Sequence, residues 1–332
     1  EGLRFADEVE AARRAVRELH AHGAQVVILL SHSGQEYYKK QEGGAGGDVY
    51  VGDETIARET PGIDLIVGGH LHVPLYTPLR VGSTLIVNTG CYLERAGEAE
   101  LDYDTAARKV VSSTGSLTEL YVDKTGQDPA VKKVVDRWYD QVGRALSVVV
   151  ATTTADLRRD DSTDSPMGDW ITDCMRHWSK TDLAVINAHG IRADIPPGPV
   201  RLRELFEVAP FDDYLSTVYI KGADLRKVLE FSVSGAAAGL LQLSGATVSY
   251  DPKAPVGSRV RDVVVEGRPL EPDAEYSVVA PDFVLQGGSG YTAFSASTDE
   301  ADQGLLIRDV LGWCARREGV ISAPAGGRMK PL

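Results

Sequence analysis

Long apolar runs are absent from this chain, and none approaches the ~20 residues that a membrane-spanning helix requires. Cysteine is scarce as well: the 332 residues include Cys91, Cys174 and Cys314, too far apart in sequence to form a metal-binding pair. Three cysteines permit at most one disulfide within the chain. No charged start with a following apolar stretch indicates a signal peptide. The chain begins at Glu1 rather than Met, so we expect that an upstream segment was removed or not included.

Basic residues are outnumbered, with 35 Lys and Arg against 48 Asp and Glu and a net charge of −13. This balance argues against a nucleic-acid polymer or an anionic membrane as partner, because both require clustered cations. A small phosphorylated substrate stays compatible with it, since a local arginine pocket can act against the global field. The glycine-rich stretch QEGGAGGD at 41–48 lacks the GK[ST] ending of a phosphate-binding P-loop, and it predicts a mobile surface loop.

The length suggests about two domains of roughly 150 residues. Helical periodicity at 6–22 precedes a continuous apolar run at 25–30, which is typical of a strand buried on both faces. A second short apolar run, DLIV at 64–67, ends in two glycines. From residue 84 the pattern predicts an antiparallel meander, and residues 128–146 predict a helix. The Gly/Pro-rich tail after residue 323 is expected to be loose.

Three histidines follow predicted strands: His32 after the first apolar run, and His70 and His72 after the second. Neutral imidazoles suit Zn, Mn, Fe or Ni, and an extended backbone would point residues 70 and 72 the same way. The alternative is an exposed turn with incidental histidines. Phosphate-ester hydrolysis commonly uses two metals bridged by a carboxylate. Nothing in the sequence distinguishes among the candidates for that carboxylate, Asp48, Asp53 and Asp64.

Several motifs occur in the order of one known family. SHSG at 31–34, GGHLH at 68–72 and NTGCYLERAGEAELDYD at 88–104 resemble the second half of a calcineurin-like metallophosphoesterase domain. MGDWITDCM, NAHGIR, PFDDYLSTVYIKGADL and DFVLQGGSGY resemble the C-terminal domain of the 5′-nucleotidase family. The individual motifs are weak alone, and their succession is specific.

The resemblance implies an α/β fold: a partial metallophosphoesterase β-sandwich flanked by helices, linked by a helix to a mixed α/β 5′-nucleotidase C-terminal domain. The implied boundaries are 1–125 for the first part, 126–150 for the linker helix and 151–332 for the substrate-binding domain. It also implies metal-dependent removal of phosphate from nucleotides by two divalent ions, Zn, Mn or similar. The implied metal ligands are His32, His70 and His72. The implied substrate-binding residues are Asn187, Gly190, Arg192, Phe211, Phe283 and Ser289.

Within that set, Arg192 is expected to stabilise the phosphate and the transition state, because an arginine fork fits phosphate oxygens. Phe211 and Phe283 are expected to sandwich the base, and the alternative is that both rings belong to the core. Ser289 stands where many relatives carry Asp in a loop that contacts the ribose. Arg158 and Arg159 lie near a phosphate-binding loop but out of register, and His189 is a weaker candidate for the same pocket.

The family's Asp-x-His, Gly-Asp and Gly-Asn-His segments, with the catalytic histidine, do not occur in this sequence. The expectation is therefore an incomplete metal site in this chain, and a separate N-terminal piece is a candidate partner. Two alternatives follow: a hydrolase for cyclic nucleotides, nucleotide sugars or thiosulfate-type esters, or a nucleotide-binding fragment without activity. The resemblance favours an extracellular, periplasmic or cell-wall location and does not exclude the cytoplasm.

Overall fold

The computed structural model describes residues 6–36, 51–235 and 239–332. The chain divides into two compact units, with the division between Lys132 and Lys133. The division lies inside a helix, Pro129–Leu146, for which the sequence predicted residues 128–146. The predicted roles and boundaries of the domains stay predictions. None of the helices in the described ranges is long and apolar enough to cross a membrane.

The first unit is built on a four-stranded sheet of order β1-β2-β4-β3. Strands β1, β2 and β4 run parallel, and β3 pairs antiparallel with β4. A separate long hairpin, β5–β6, follows. The meander predicted from residue 84 is therefore wrong for β4, which is a central parallel strand. The elements are α1 (Glu8–Ala21), β1 (Ile28–Leu30), α2 (Asp53–Glu59), β2 (Leu65–Val67), β3 (Leu79–Val81), β4 (Thr84–Val87), β5 (Arg95–Asp104), β6 (Lys109–Glu119), α3 (Val122–Thr125) and α4 (Pro129–Leu146).

The core of the first unit lies between this sheet and α1 and α2. Ile66 and Ile86 from neighbouring strands are fully buried, and Val16 and Ile56 from the two helices complete the cluster. The apolar spacing of α1 places its buried valines on one stripe. Asp7 caps the start of α1 by accepting a hydrogen bond from the Glu10 amide. This packing fixes the sheet edge on which the histidine segments lie.

The second unit contains a five-stranded mixed sheet of order β11-β8-β15-β10-β16, with smaller sheets beside it. Strands β8 and β15 are parallel, and β10 runs antiparallel to β15. The elements are β7 (Val149–Thr153), α5 (Pro166–Ser179), β8 (Leu183–Ile186), β9 (Gly198–Arg201), α6 (Leu202–Val208), β10 (Tyr214–Lys221), α7 (Gly222–Ser232), β11 (Gln242–Ser244), β12 (Ala246–Tyr250), β13 (Val260–Val265), β14 (Arg268–Pro269), β15 (Glu275–Pro281), α8 (Asp282–Leu285), β16 (Thr298–Leu306), α9 (Ile307–Glu318), β17 (Val320–Ile321) and β18 (Met329–Pro331).

Two buried apolar clusters stabilise this unit, one including α7 and β13, the other including α5 and α9. On α5, Met167, Trp170, Ile171 and Cys174 are buried, and Trp178 at the end of the same helix is half-buried. Cys174 forms a disulfide with Cys314, which joins α5 to α9.

The C-terminal tail is ordered, so the prediction of a loose tail is wrong. Strand β18 pairs in parallel with β12. Arg328 forms ion pairs with Asp169 at 3.4 Å and Asp173 at 2.7 Å. Asp164 accepts hydrogen bonds from the Gly327 and Arg328 amides. Composition alone predicts disorder for this tail, and these long-range carboxylate contacts override it.

Candidate functional site

Two of the predicted metal ligands lie together at the carboxyl edge of the parallel sheet in the first unit. His32 follows β1 by two residues and His70 follows β2 by three, so the parallel pairing of these strands places them at one edge. Their ring centroids are 5.1 Å apart, and both side chains are exposed. The parallel pairing therefore brings together two of the three histidines that follow predicted strands.

Gly68 and Gly69 lie so close to other side chains at this edge that neither position has room for a side chain. A Cβ on Gly69 would lie 3.1 Å from His32 Nδ1, and a Cβ on Gly68 would collide with Asp53 Oδ2. Any larger residue at these two positions would therefore displace either the imidazole or the carboxylate. The two glycines in GGHLH are required by the backbone packing around the histidine and the aspartate.

Asp53 is the residue at this edge that the sequence did not single out. It is fully buried at the first position of α2, and its amide donates a hydrogen bond to the Gly34 carbonyl at 2.8 Å. Its Oδ1 accepts a hydrogen bond from Ser31 Oγ at 2.5 Å. Of the other two candidates, Asp64 accepts the Val27 amide at 2.8 Å, a structural role, and Asp48 lies outside the described residues. Burial, which the sequence does not reveal, distinguishes Asp53.

Asn88 is a second residue that the sequence reading missed. It follows β4 directly and is buried at 1% exposure. Its side-chain amide donates to the Gly69 carbonyl at 3.4 Å, and its Oδ1 accepts the Gly90 amide at 2.9 Å. Its position in the sequence could have indicated it, because Asn88 directly follows an apolar strand, as the histidines do. That strand is parallel to the one that precedes His70.

The segment that carries His70 and His72 has an uncommon backbone conformation. Both His70 and His72 adopt left-handed backbone conformations, with φ of 71° and 58°. The backbone between them is therefore not extended, which was the condition for both rings to point the same way. His72 instead contacts the edge of Tyr92, with ring centroids 5.4 Å apart. Positive φ is uncommon outside glycine, and such backbone strain is concentrated at functional sites.

The donor set at this edge fits a divalent metal in its chemistry, since imidazole and carboxylate are ligands for Zn and Mn. Among the described residues, one group of three candidate ligands lies within 4.8 Å of one another: Cys174, Cys314 and Glu318. Its two cysteines are joined in a disulfide and offer no thiolate. The predicted histidine triad does not form such a compact group in the described structure.

In the second unit, the predicted nucleotide-binding residues gather at one end of the five-stranded sheet. Asn187 follows β8, Phe283 follows β15, and Phe211 precedes β10. Because β8 and β15 are parallel and β10 is antiparallel to β15, these three positions fall at the same sheet edge. The topology thus brings together side chains that are nearly a hundred residues apart in sequence.

Both phenylalanines are exposed, Phe211 by 48% and Phe283 by 45%, so the alternative that they belong to the core is wrong. The Arg192 guanidinium lies 5.9 Å from the centroid of the Phe211 ring, and its Nη1 donates to the His189 carbonyl at 3.3 Å. Phe283 packs against the backbone at Gly288, where a Cβ would collide with the ring. Two aromatic faces and a guanidinium thus lie at one edge.

Asn187 is buried to 4% exposure, and its side-chain amide donates to Ser289 Oγ at 3.2 Å. Its Oδ1 is also buried and has no hydrogen-bond partner within the described structure. Gly190 stands beside this oxygen, since a Cβ there would lie 2.8 Å away. Ser289 has a left-handed φ of 53°. An unsatisfied buried acceptor beside a strained loop is a typical feature of a binding site.

Arg159, placed loosely near the site from the sequence, braces the loop that carries Arg192. Its Nη1 donates to the Arg192 carbonyl at 2.8 Å, and its amide donates to Asp194 Oδ1 at 2.8 Å. Arg158 is paired with Asp156 at 2.6 Å and is exposed. His189 Nε2 lies 3.7 Å from Asp161. Arg159 therefore supports the loop, and Arg158 points to a local carboxylate.

Comparison with known proteins gives a family match that lies within the second unit. Residues 142–296 match the family model described as the 5′-nucleotidase C-terminal domain. The chain is similar to several 5′-nucleotidases. It is 28% identical to a snake venom 5′-nucleotidase of Naja atra, over 98% of this chain and 68% of that protein. It is 27% identical to endonuclease YhcR of Bacillus subtilis, over 85% of this chain and 22% of that protein.

A solved 5′-nucleotidase precursor from Thermus thermophilus shares the fold. It aligns with a TM-score of 0.83 and 27% identity, covering 99% of this chain and 68% of that one. The resemblance to the 5′-nucleotidase family and the mixed α/β fold class inferred from the sequence are thereby confirmed. The chain spans about a fifth of the Bacillus endonuclease and about two thirds of these two 5′-nucleotidases.

Proposed function

We propose that this chain is part of a hydrolase that removes phosphate from nucleotides. The observation that carries the proposal is the pair of exposed phenylalanines, Phe211 and Phe283, at one sheet edge of a 5′-nucleotidase C-terminal domain with Arg192 beside them. Exposed aromatic faces hold a planar base, and each stacked base contributes roughly 1–3 kcal/mol. Because the relatives extend beyond this chain, the activity is proposed for the complete protein.

In this proposal, different residues of the second unit bind the base, the sugar and the phosphate of the nucleotide. Phe211 and Phe283 hold the base. The unsatisfied Asn187 Oδ1 accepts a hydrogen bond from the sugar, with Gly190 leaving room beside it and Ser289 orienting the amide. Arg192 binds the phosphate, and its permanent charge stabilises the negative charge that develops during transfer.

The first unit holds the metals in this proposal. His32, His70 and His72 supply imidazoles, and we add buried Asp53 as the carboxylate that the sequence could not identify. Bound divalent ions would activate water and offset phosphate charge. Ser31 keeps one carboxylate oxygen of Asp53 oriented through its hydroxyl, and the glycines 68 and 69 leave space for the ligands. Additional ligands are expected from outside the described residues.

Calorimetry of adenosine monophosphate binding to this chain tests the nucleotide pocket. We expect measurable affinity for the unaltered chain and loss of most of it in Phe283→Ala. Tyr219→Ala is the matched control, because Tyr219 is 49% exposed and lies on β10 away from the Phe211 end. Equal weakening by both substitutions, or none by either, would contradict the pocket assignment.

A second candidate is a related hydrolase for cyclic nucleotides, nucleotide sugars or thiosulfate-type esters. Ser289 favours it, because a neutral hydroxyl bonded to Asn187 stands where the resemblance to the family implies a carboxylate. Phosphate or sulfate release from a panel of these esters, compared with nucleoside monophosphates, separates the two candidates. Binding without any release by the complete protein would favour the nucleotide-binding alternative. The exclusion of nucleic-acid polymers rests on the net charge of −13 and stays a prediction.

We also propose that the protein works outside the reducing cytosol. The Cys174–Cys314 disulfide supports this location, since disulfides persist chiefly in oxidising compartments. Alkylation of the native protein with and without reductant tests it: both cysteines should be protected until reductant is added. Alkylation of Cys174 and Cys314 without reductant would contradict the proposal.

A further inference from the structure

A second cleft in residues 133–332 lies at the opposite end of β8 from Asn187. Thr181, just before β8, lines it, together with Glu266 after β13 and side chains from the C-terminal parts of α5 and α9. Its volume is about 640 Å³, within the range of small-molecule pockets. The nucleotide site proposed above lies at the carboxyl end of the same strand, so the two sites are distinct.

The walls of this cleft are fixed by covalent and aromatic contacts. The Cys174–Cys314 disulfide ties the two helices together at the cleft. Trp313 forms one wall, with Trp178 edge-on at 4.8 Å and the His177 ring stacked at 5.8 Å between centroids. The Arg317 guanidinium lies 5.2 Å from the Trp313 ring centroid. The indole therefore has a fixed orientation, as a binding surface requires.

The carboxylates of the cleft already have partners. Asp173 pairs with Arg328 at 2.7 Å, and Glu266 pairs with Arg176 at 2.7 Å. Glu318 accepts a hydrogen bond from the Trp170 indole at 3.3 Å, and burial raises its pKa.

Two cations of the cleft, Lys180 and Arg317, have no ion-pair partner among the described residues. Within the described residues, neither Lys180 nor Arg317 has a carboxylate oxygen within 4 Å of its charged group. Both residues end helices, Lys180 as the residue after α5 and Arg317 in the last turn of α9. Favourable interaction with the helix dipoles explains positive charge at these positions. It does not explain a cleft of this volume beside a fixed indole.

We propose that this cleft binds a small organic anion, with its carboxylate or phosphate between Lys180 and Arg317 and its apolar body against Trp313. Oxyanions form strong charge-assisted hydrogen bonds with ammonium and guanidinium groups, and the indole supplies apolar area to the rest of the ligand. In a chain of net charge −13, two cations without carboxylate partners provide local selectivity for an anion.

Calorimetry with phenylphosphonate tests this site, because the probe carries an oxyanion on an aromatic body and is not a phosphate ester. The variant is Lys180→Asn with Arg317→Gln, since Asn tolerates the left-handed φ of 59° at position 180 and Gln keeps part of the side chain over Trp313. Each lost charged contact should raise the Kd about tenfold. Arg316→Gln is the matched control, because Arg316 is on the same helix and does not line the cleft.

The proposal requires unchanged binding in the Arg316→Gln and Phe283→Ala variants. No binding to the unaltered chain at millimolar probe, or equal binding by the double variant, would overturn it. Loss of binding in Phe283→Ala would assign the probe to the nucleotide site and would also overturn it. Inorganic phosphate should bind more weakly than phenylphosphonate; the reverse order would contradict the role of Trp313. If the double variant does not fold, Arg317→Gln alone decides, with an unchanged Kd overturning the proposal.

Discussion

At the scale of single residues, we expect Phe283 to bind a nucleotide by stacking its exposed ring on the base. Phe283 is 45% exposed and rests on the backbone of Gly288, which fixes the ring while leaving a face open. Phe283→Leu keeps an apolar side chain and removes the aromatic face. We expect the KM for nucleoside monophosphates in the complete protein to rise by about tenfold, corresponding to roughly 1–3 kcal/mol of stacking. Steady-state kinetics check this, and an unchanged KM would exclude base stacking at this residue.

Asp169 gives the second unit a pH dependence of stability. Burial raises its pKa to about 7, opposed by Arg328 and assisted by the neighbouring Asp164 and Asp173. Between about pH 4 and 7 the native state therefore binds more protons than the unfolded state, and this group lowers stability as the pH rises. Above pH 7 its contribution is constant.

Asp169→Asn should remove that dependence. The free energy of unfolding of the variant, relative to the unaltered chain, should increase by up to about 4 kcal/mol from pH 4 to pH 8. Denaturant unfolding at several pH values measures it. A constant difference between the two proteins across this range would mean that Asp169 does not titrate there.

At the scale of elements, the disulfide between α5 and α9 closes a long segment, with its cysteines 140 residues apart. Closing a loop of this length restricts the unfolded chain by roughly 5 kcal/mol in the loop-entropy account. Changing both Cys174 and Cys314 to Ala should lower the free energy of unfolding by a large part of that amount. Denaturant unfolding of the oxidised protein and the double variant measures the difference. Equal midpoints would contradict a stabilising role.

The last strand depends on one arginine. Arg328 pairs with Asp169 and Asp173 and donates to the Leu243 carbonyl at 2.9 Å. Arg328→Met should destabilise the second unit by about 3–5 kcal/mol, because it leaves the fully buried Asp169 without its counter-ion. Lys330→Met, on the same strand and exposed, is the control. Limited proteolysis should release the tail in the first variant only, and resistance in both would contradict this anchoring role.

The same elements show what the sequence could predict. Apolar periodicity predicted a helix over 128–146, and the structure has it at Pro129–Leu146, since that pattern depends on neighbours three or four residues away. The carboxyl-edge positions of His32 and His70 follow from strand order in the same way. Burial of Asp53 and the anchoring of Arg328 depend on contacts between distant segments. Apolar periodicity carries no information about such contacts, nor about the left-handed backbone at His70 and His72.

At the scale of the whole molecule, the two units supply complementary chemistry. The first offers imidazoles and a buried carboxylate at the end of a parallel sheet, and the second offers aromatic rings and an arginine at the end of a mixed sheet. In the proposed reaction both contributions are needed, because one set would hold metals and the other would hold the nucleoside and phosphate. The proposed activity therefore belongs to the complete protein with both units intact.

Phosphate release from nucleoside monophosphates by the complete protein, with added Mn or Zn, tests this account most directly. We expect turnover in the unaltered protein, a loss of at least about a hundredfold in His70→Ala, and little change in His20→Ala, an exposed histidine at the end of α1. Unchanged turnover in His70→Ala would contradict the metal assignment, and no release from any nucleoside monophosphate would contradict the proposed function.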